Sequence, residues 1–476
     1  MSREKVLAKN TAILAIGTFL PKVSTYFTLP ILTGILTKEE YGTYDLVTVL
    51  VSLILPAATL QIQTALFRFL IEIREDEKEV KKIVSTGTSF IIIVSILALI
   101  ILNIVMNQIS FVTRLFISGY FFADILVNGL RQVARGLTRN LDYSLSAFIS
   151  AACKILFIFL FVGGMKKGIN GAVCALMISS LASFIFLFFK IKAYKLLSFR
   201  NSSFDTLKLL LSYSWPMVPN SMSMWAMRLS NRLIITFFMG AAQNAVYAVA
   251  TKIPNLLTMA QSTFSMAWQE NASLYSKDED IEEYYSKMYR TMFDIMAGFL
   301  AMLICATPIL FALLIKGDYN EAYNQVPILF FSMFFFVMST FLGGIYVAYK
   351  KTKSVGLTTI YAAIINVVLD VLLIKAIGLY AASISTLISY VLLYLFRAVD
   401  IKKLVHLDID YRHVVLVLAI LFAESIFCFM QNKWLNILNF IIGILLFVVL
   451  NRTLIIKGYE MVKGFFKKNK TEQDSD

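Results

Sequence analysis

The sequence predicts an all-α protein that crosses a membrane many times. Of its 476 residues, 58% are hydrophobic and only 16% are charged, and the mean hydropathy is +0.74. These values lie far from those of a soluble domain. Apolar stretches of about 20 residues, long enough to cross roughly 30 Å of hydrocarbon as a helix, recur along the chain between short polar links.

Fourteen such stretches predict fourteen transmembrane helices, called spans 1 to 14. They cover approximately residues 11–33, 42–66, 83–106, 112–130, 143–163, 169–189, 209–239, 243–267, 290–315, 324–348, 354–375, 378–396, 413–431 and 434–455. A helix satisfies its own backbone hydrogen bonds within the bilayer, which an isolated strand cannot do. The loops are too short for the soluble domain of a membrane glycosyltransferase or polymerase, so we expect a transporter and not an enzyme.

The basic residues predict that both termini are cytoplasmic. With a cytoplasmic N-terminus, the 44 Lys and Arg residues divide into 32 in the inside segments, 7 in the outside loops and 5 within the spans. Such an excess in cytoplasmic segments is typical of multi-pass proteins. It also explains the net charge of +14 without a nucleic-acid partner, because no loop is long enough to form a basic domain.

An offset of about 200 residues brings similar segments together. The segment YDLV at Tyr44 corresponds to YAVA at Tyr247, and acidic links follow both span 2 and span 8. Six of the eight prolines lie in spans 1, 2, 7 and 8, which predicts bent helices there. The predicted organisation is an N-lobe of six helices at 1–190, a cytoplasmic linker at 191–208, a pseudo-symmetric C-lobe of six helices at 209–400, helices 13 and 14 within 401–455, and a basic cytoplasmic tail at 456–476.

Five cations lie inside predicted spans, where each costs roughly 2.5 to 3.5 kcal/mol even on the permissive insertion scale. They are Lys22, Lys154, Arg228, Arg232 and Lys252. Helical spacing places them on polar faces, which predicts a substrate-binding cavity that attracts anions. For Arg228 and Arg232 we favour contact with a substrate phosphate, with structural pairing between the lobes and snorkelling to the interface as alternatives. Trp225 shares their face and is a candidate for stacking on a sugar.

Acidic residues are fewer at this depth. Asp124, Asp370 and Glu424 are candidates for ion pairs or for coupling to a proton or sodium ion, and Asp124 is the expected partner of Lys154 on the next helix. Three acids near predicted membrane boundaries are expected to be solvated: Asp45, Glu270 and Asp294. The four cysteines lie in four different spans with no metal-binding spacing. We therefore expect no metal and no cofactor.

Three segments carry a resemblance to a known family. They are TKEEYGTYDLV after span 1, SWPMVPNSMSMWAMRLSNRLIITFFMG in span 7 and NAVYAVATKIPNLL after it. With fourteen spans, the chain resembles over essentially its whole length the Wzx-type polysaccharide and oligosaccharide-lipid flippases of the multidrug/oligosaccharidyl-lipid/polysaccharide (MOP) superfamily, which implies a MATE-like fold. That family often carries an Asp-Arg pair where this chain has Asn231 and Arg232, so we expect no sequence-adjacent acid to neutralise Arg232.

The resemblance implies a flippase in the bacterial cytoplasmic (inner) membrane. It would move undecaprenyl-diphosphate-linked oligosaccharide units from the cytoplasmic to the outer leaflet by alternating access, for O-antigen, capsule or exopolysaccharide synthesis. The implied partners are the lipid-linked glycan, membrane lipids and other polysaccharide assembly proteins. A MATE-like multidrug exporter is an alternative, although it would be expected to have an acidic cavity. A flippase for peptidoglycan lipid II is another alternative. Its substrate is also a diphosphate, so the charges of the chain do not distinguish it from an oligosaccharide-lipid flippase.

Overall fold

A computed structural model of the chain describes residues 3–107, 109–274, 279–349, 351–453, 455–456 and 460. The regular structure of these residues is helical. The α-helices are α1 (Arg3–Ile35), α2 (Lys38–Ala58), α3 (Ile62–Ile73), α4 (Glu77–Val105), α5 (Phe111–Gly136), α6 (Asn140–Ile158), α7 (Gly168–Lys190), α8 (Ala193–Leu196), α9 (Phe204–Ser214), α10 (Val218–Met239), α11 (Ala241–Ala250), α12 (Lys252–Leu274), α13 (Ile281–Leu314), α14 (Asn320–Ala348), α15 (Thr352–Ile377), α16 (Tyr380–Ile401), α17 (Tyr411–Phe429) and α18 (Lys433–Leu450).

The helices confirm the predicted class of polytopic all-α membrane protein. Among the described residues, 11 helices are long and apolar enough to cross a membrane. They correspond to spans 2 to 6 and 9 to 14. Spans 1, 7 and 8 correspond to α1, to α9 with α10, and to α11 with α12.

Several predicted spans are broken helices. Span 2 was predicted as one helix, but α2 ends at Ala58 and α3 begins at Ile62, with Leu60 and Gln61 in the left-handed region at φ 48° and 59°. Span 7 is divided by a 3-10 turn that contains Pro216. Since proline has no backbone N–H, the helix is interrupted where its hydrogen-bond ladder loses a donor.

The chain forms two compact units. Unit 1 comprises Met1–Val249, Leu313–Tyr319 and Val371–Leu379, and unit 2 comprises Ala250–Ala312, Asn320–Asp370 and Tyr380–Asp476. Within unit 1, α5 and α6 each pack on α7, and α1 packs on α6; within unit 2, α14 packs on both α12 and α16. These two units are not the two lobes that the sequence repeat predicts. The lobes stay a prediction, which rests on the similarity of segments about 200 residues apart.

The N-terminus of α17 carries a buried contact that the sequence did not predict. Asp294 was expected to be solvated, but its Oδ1 lies 2.7 Å from His413 Nε2, and both side chains are largely buried. Asp410 caps the helix, because its carboxylate accepts a hydrogen bond from the backbone N–H of His413 at 3.1 Å. This bond holds the pKa of the exposed Asp410 carboxyl below its usual value.

Unit 2 contains a buried arginine that organises three helices. Arg397 of α16 is 4% exposed. Its guanidinium donates to the backbone oxygen of Ser339 on α14 at 2.8 Å, and to Thr358 Oγ1, Thr359 Oγ1 and the Val355 oxygen on α15 at 3.1, 3.0 and 3.2 Å. The planar group with its five donors thus forms four hydrogen bonds to backbone and hydroxyl oxygens, which offset the cost of burying its charge.

We expect Arg397→Ala to lower the free energy of unfolding by at least about 2 kcal/mol, because it removes four hydrogen bonds from a charged donor that join three helices. Arg397→Lys should retain only part of this stability, since an ammonium group cannot reproduce the planar, forked set of guanidinium donors. Denaturant unfolding of the purified protein in detergent measures both. The control is Arg412→Ala, which removes an exposed arginine. An equal loss in Arg412→Ala and Arg397→Ala would contradict the role assigned to Arg397.

Candidate functional site

A buried ion pair joins α10 to α2 in unit 1. Arg232 Nε donates to Asp45 Oδ2 at 2.6 Å, and the two side chains are 11% and 5% exposed. The expectation that Asp45 is solvated is therefore wrong. Arg232 has no acid next to it in the sequence, as expected, and is paired with an acid that is distant in the sequence. Such close pairing offsets part of the desolvation cost of each charge.

Polar side chains surround the ion pair. Asn231, next to Arg232, donates from Nδ2 to the Tyr247 hydroxyl at 2.8 Å. The Arg232 guanidinium lies 5.9 Å from the centre of the Tyr247 ring, within the range of a cation–π contact. Asn231 therefore occupies the position of the family's aspartate but forms a neutral hydrogen bond.

Close backbone contact holds α2 against α11. Asn244 Nδ2 donates to the Gly42 oxygen at 2.9 Å. A Cβ atom at Gly42 would lie 1.8 Å from the Ala241 oxygen, so only glycine permits this approach. The three sequence segments that carry the family resemblance thus converge in one buried cluster, which contains Gly42, Asp45, Asn231, Arg232, Asn244 and Tyr247 and is called the α2–α10–α11 junction.

Two predicted cations lie on neighbouring helices of unit 1. Lys22 of α1 is exposed, and Lys154 of α6 is half-buried. Lys154 Nζ donates to Thr25 Oγ1, one turn after Lys22 on α1, at 3.0 Å. The α1–α6 contact therefore brings together two of the residues that the sequence assigned separately to polar faces.

The predicted ion pair between Asp124 and Lys154 is wrong. The Asp124 carboxylate accepts hydrogen bonds from Asn128 Nδ2 at 3.1 Å and from Ser180 Oγ at 3.2 Å. The opposite charge near it belongs to Arg131, two turns along the same helix. The prediction failed because it assumed that adjacent helices present these two side chains to each other, and the rotation of a helix about its axis is not fixed by span boundaries.

The two other predicted carboxylates lie in unit 2. Asp370 and Glu424 are both 0% exposed. Neither carboxyl group has a hydrogen-bond partner among the described residues. They remain candidates for ion coupling.

The remaining predicted site residues are placed only in part. Lys252 is the first residue of α12 and is half-buried. Arg228 and Trp225 belong to α10, but their side chains lie outside those that the structure describes, as does the side chain of Glu270. Their assigned roles stay predictions. Among the described residues, no group of three or more His, Cys, Asp or Glu side chains is arranged to hold a metal ion.

Sequence reasoning missed Asp45 and undervalued Arg131. Asp45 belongs to the YDLV segment, and the similarity of this segment to YAVA was the signal in the sequence that could have identified Asp45. Arg131 was assigned to a cytoplasmic link, but α5 continues to Gly136. Its guanidinium donates to Ser146 Oγ and Ser183 Oγ, both at 3.0 Å, and so connects α5 with α6 and α7.

We expect the Asp45–Arg232 pair to show strong coupling in a double-mutant cycle. Asp45→Asn and Arg232→Gln should each cost about 3–5 kcal/mol of unfolding free energy, because each leaves a buried charge without its partner. The double variant should be more stable than the sum of the two losses predicts. The control cycle is Lys38→Gln with Asp318→Asn, whose more exposed pair at 3.1 Å should contribute about 1 kcal/mol or less. Equal coupling in the two cycles would contradict the assignment.

Comparison with known proteins identifies a family. The family described as "Polysaccharide biosynthesis protein" matches residues 7–269, more than half of the chain. No curated protein sequence matches the chain significantly.

Solved structures match the fold over most of the chain. The structure titled "Lipid II flippase MurJ, inward closed conformation" has a TM-score of 0.69 and 15% identity, and the match covers 93% of this chain and 100% of that one. An inward-facing multidrug resistance MATE family transporter of the MOP superfamily has a TM-score of 0.67 and 14% identity, with 82% and 98% covered.

A third match is a MOP superfamily transporter from Pyrococcus furiosus, whose title reports a reversed polarity of its binding pocket. Its TM-score is 0.59 at 14% identity, with 84% of this chain and 96% of that chain covered. Likeness at such low identity establishes the fold alone. The chain therefore belongs to the polysaccharide biosynthesis protein family and shares the fold of these three solved structures.

Proposed function

We propose that this protein translocates undecaprenyl-diphosphate-linked oligosaccharide units from the cytoplasmic to the outer leaflet of a bacterial cytoplasmic membrane. The products would enter surface polysaccharides such as O-antigen, capsule or exopolysaccharide. The observation that carries the proposal is the presence of five cations within the predicted membrane spans of a polysaccharide biosynthesis family member. A diphosphate crossing the bilayer needs such a cationic path, because an unpaired charge at this depth is costly.

The cations of unit 1 fall into two groups. Arg232 is held by Asp45 in the α2–α10–α11 junction, so we assign it to positioning α10. Lys22 is exposed and Lys154 is half-buried, and each carries an ammonium group within a predicted span. An ammonium binds phosphate oxygens through charge-assisted hydrogen bonds, which are stronger than neutral ones. We propose that Lys22, Lys154, Lys252 and Arg228 contact the diphosphate during transport, and that Trp225 stacks on the glycan.

The energy source is a separate part of the proposal. Asp124, Asp370 and Glu424 are the candidates for binding a proton or a sodium ion. The membrane potential is a third source, because it acts on an anionic substrate and on cationic helices with about 2.3 kcal/mol per charge per 100 mV. Flipping measured in vesicles with imposed pH, sodium and voltage gradients, one at a time, distinguishes these sources.

We propose the orientation that the basic residues predict, with both termini cytoplasmic. In a variant with its four native cysteines replaced, a cysteine at Lys166 should react with an impermeant maleimide added to intact cells. A cysteine at Asn201 should react only after permeabilisation. Both positions are exposed. The reverse labelling pattern would overturn the orientation.

Removing the charges of Lys22 and Lys154 should impair transport without unfolding the protein. We expect the double variant Lys22→Ala with Lys154→Ala to reduce surface polysaccharide at least tenfold in cells that depend on it, which corresponds to about 1.4 kcal/mol. Lys22→Arg with Lys154→Arg should retain most activity, since the charge remains. Lys208→Ala, which removes an exposed lysine outside the cavity, is the control.

The same cells distinguish the competing functions. Removal of the protein should cause lipid-linked oligosaccharide repeat units to accumulate on the inner leaflet. Accumulation of peptidoglycan lipid II instead would assign that precursor as substrate. Efflux of cationic dyes that persists in the Lys22 and Lys154 double alanine variant would indicate a multidrug exporter, and either result would overturn the proposal.

A further inference from the structure

Glu424 of α17 lies in unit 2 within a membrane span and is 0% exposed. Neither Oε1 nor Oε2 has a hydrogen-bond partner among the described residues. An ionised carboxylate in such surroundings would keep a full charge in a low dielectric with nothing to stabilise it, at a cost of several kcal/mol. Burial therefore strongly favours the neutral carboxylic acid at this position.

Other buried oxygen atoms without partners lie beside Glu424 on the α17–α18 contact. Asn439 of α18 is 1% exposed and donates from Nδ2 to the Glu424 backbone oxygen at 3.1 Å, while its Oδ1 accepts no hydrogen bond from the described residues. The next residue on α17, Ser425, is 4% exposed, and its hydroxyl has no partner in the same part of the chain. Asn439 Oδ1 is therefore a buried acceptor, close to Glu424, for which the described residues supply no donor.

The titratable groups on neighbouring helices do not supply a counter-charge. Cys305 of α13 lies against α18, since a Cβ atom at Gly443 would be 2.9 Å from its Sγ. One turn along α17, Cys428 Sγ lies 3.3 Å from the Tyr323 hydroxyl of α14. Both thiols and the phenol are neutral at physiological pH, and no Lys, Arg or His of the described residues forms an ion pair with Glu424.

We propose that Glu424 is a proton-binding site, whose neutral carboxyl group donates its O–H to Asn439 Oδ1 and so holds α17 against α18. A single proton removes the buried charge and supplies a donor for Asn439 Oδ1 at once. On deprotonation the carboxylate would face Asn439 Oδ1 as a second acceptor, and the contact between the two helices would weaken. The site is thus a protonation-dependent link between α17 and α18, independent of the cations of unit 1.

Infrared spectroscopy of the purified protein in lipid nanodiscs tests the site directly. At neutral pH the wild-type protein should show the carbonyl band of a protonated carboxylic acid that shifts on exchange into D2O. Glu424→Gln should remove it. Asp370→Asn is the matched control, because it removes the other buried carboxyl group without a partner, and it should leave the Glu424 band in place.

A second variant tests the assigned acceptor and keeps the proposal falsifiable if Glu424→Gln does not fold. In Asn439→Leu the band should persist but move to higher frequency, since the O–H loses its acceptor. Alkaline titration should remove the wild-type band, whereas sodium at constant pH should not change it. Identical spectra for wild type and Glu424→Gln, an unshifted band in Asn439→Leu, or loss of the band on adding sodium would each overturn the proposal. The readout needs no transport, so it does not depend on the proposed function.

Discussion

The low dielectric of the bilayer is the constraint on which the rest of this structure depends. Every charged side chain within a membrane span must meet an opposite charge, a set of hydrogen-bond partners, a proton or water. The protein uses several of these solutions. Arg232 is paired with Asp45, Arg397 is surrounded by backbone and hydroxyl acceptors, and Arg131 is bound by serines of two other helices. In each case the polar contact also determines which helices lie together.

The Asp45–Arg232 ion pair distinguishes an arginine with a structural role from the cations that we propose to bind substrate. The sequence favoured Arg228 and Arg232 together as contacts for a substrate phosphate. The pairing of Arg232 assigns it to the junction that joins α2, α10 and α11, where Gly42 lets the backbones approach closely. Lys22 of α1 and Lys154 of α6 stay candidates for binding the substrate. In the proposed flippase, one arginine therefore maintains the helix arrangement on which the positions of the other cations depend.

The buried acidic residues also differ in whether they have partners among the described residues. Asp45 is paired, and Asp124 accepts hydrogen bonds from Asn128 and Ser180. Asp370 and Glu424 are fully buried without hydrogen-bond partners among the described residues. A carboxylate can tolerate such an environment by binding a proton, which neutralises it, whereas a lysine must release a proton to become neutral and an arginine stays charged. Buried acids in this protein are for this reason the groups best suited to respond to protonation.

The sequence by itself determined the class of protein, the fourteen apolar spans and the segments that matter, because the length of an apolar run and the residues along one helix face are local properties. It did not determine the break at Leu60 and Gln61, where two residues with side chains adopt a conformation usually left to glycine. Nor did it determine the partners of the buried charges. Asp45 and Arg232 are 187 residues apart, and their contact depends on which helices are neighbours and how each is rotated. Only tertiary packing decides both, because a pattern of period 3.6 defines a helix face but not the helix that it meets.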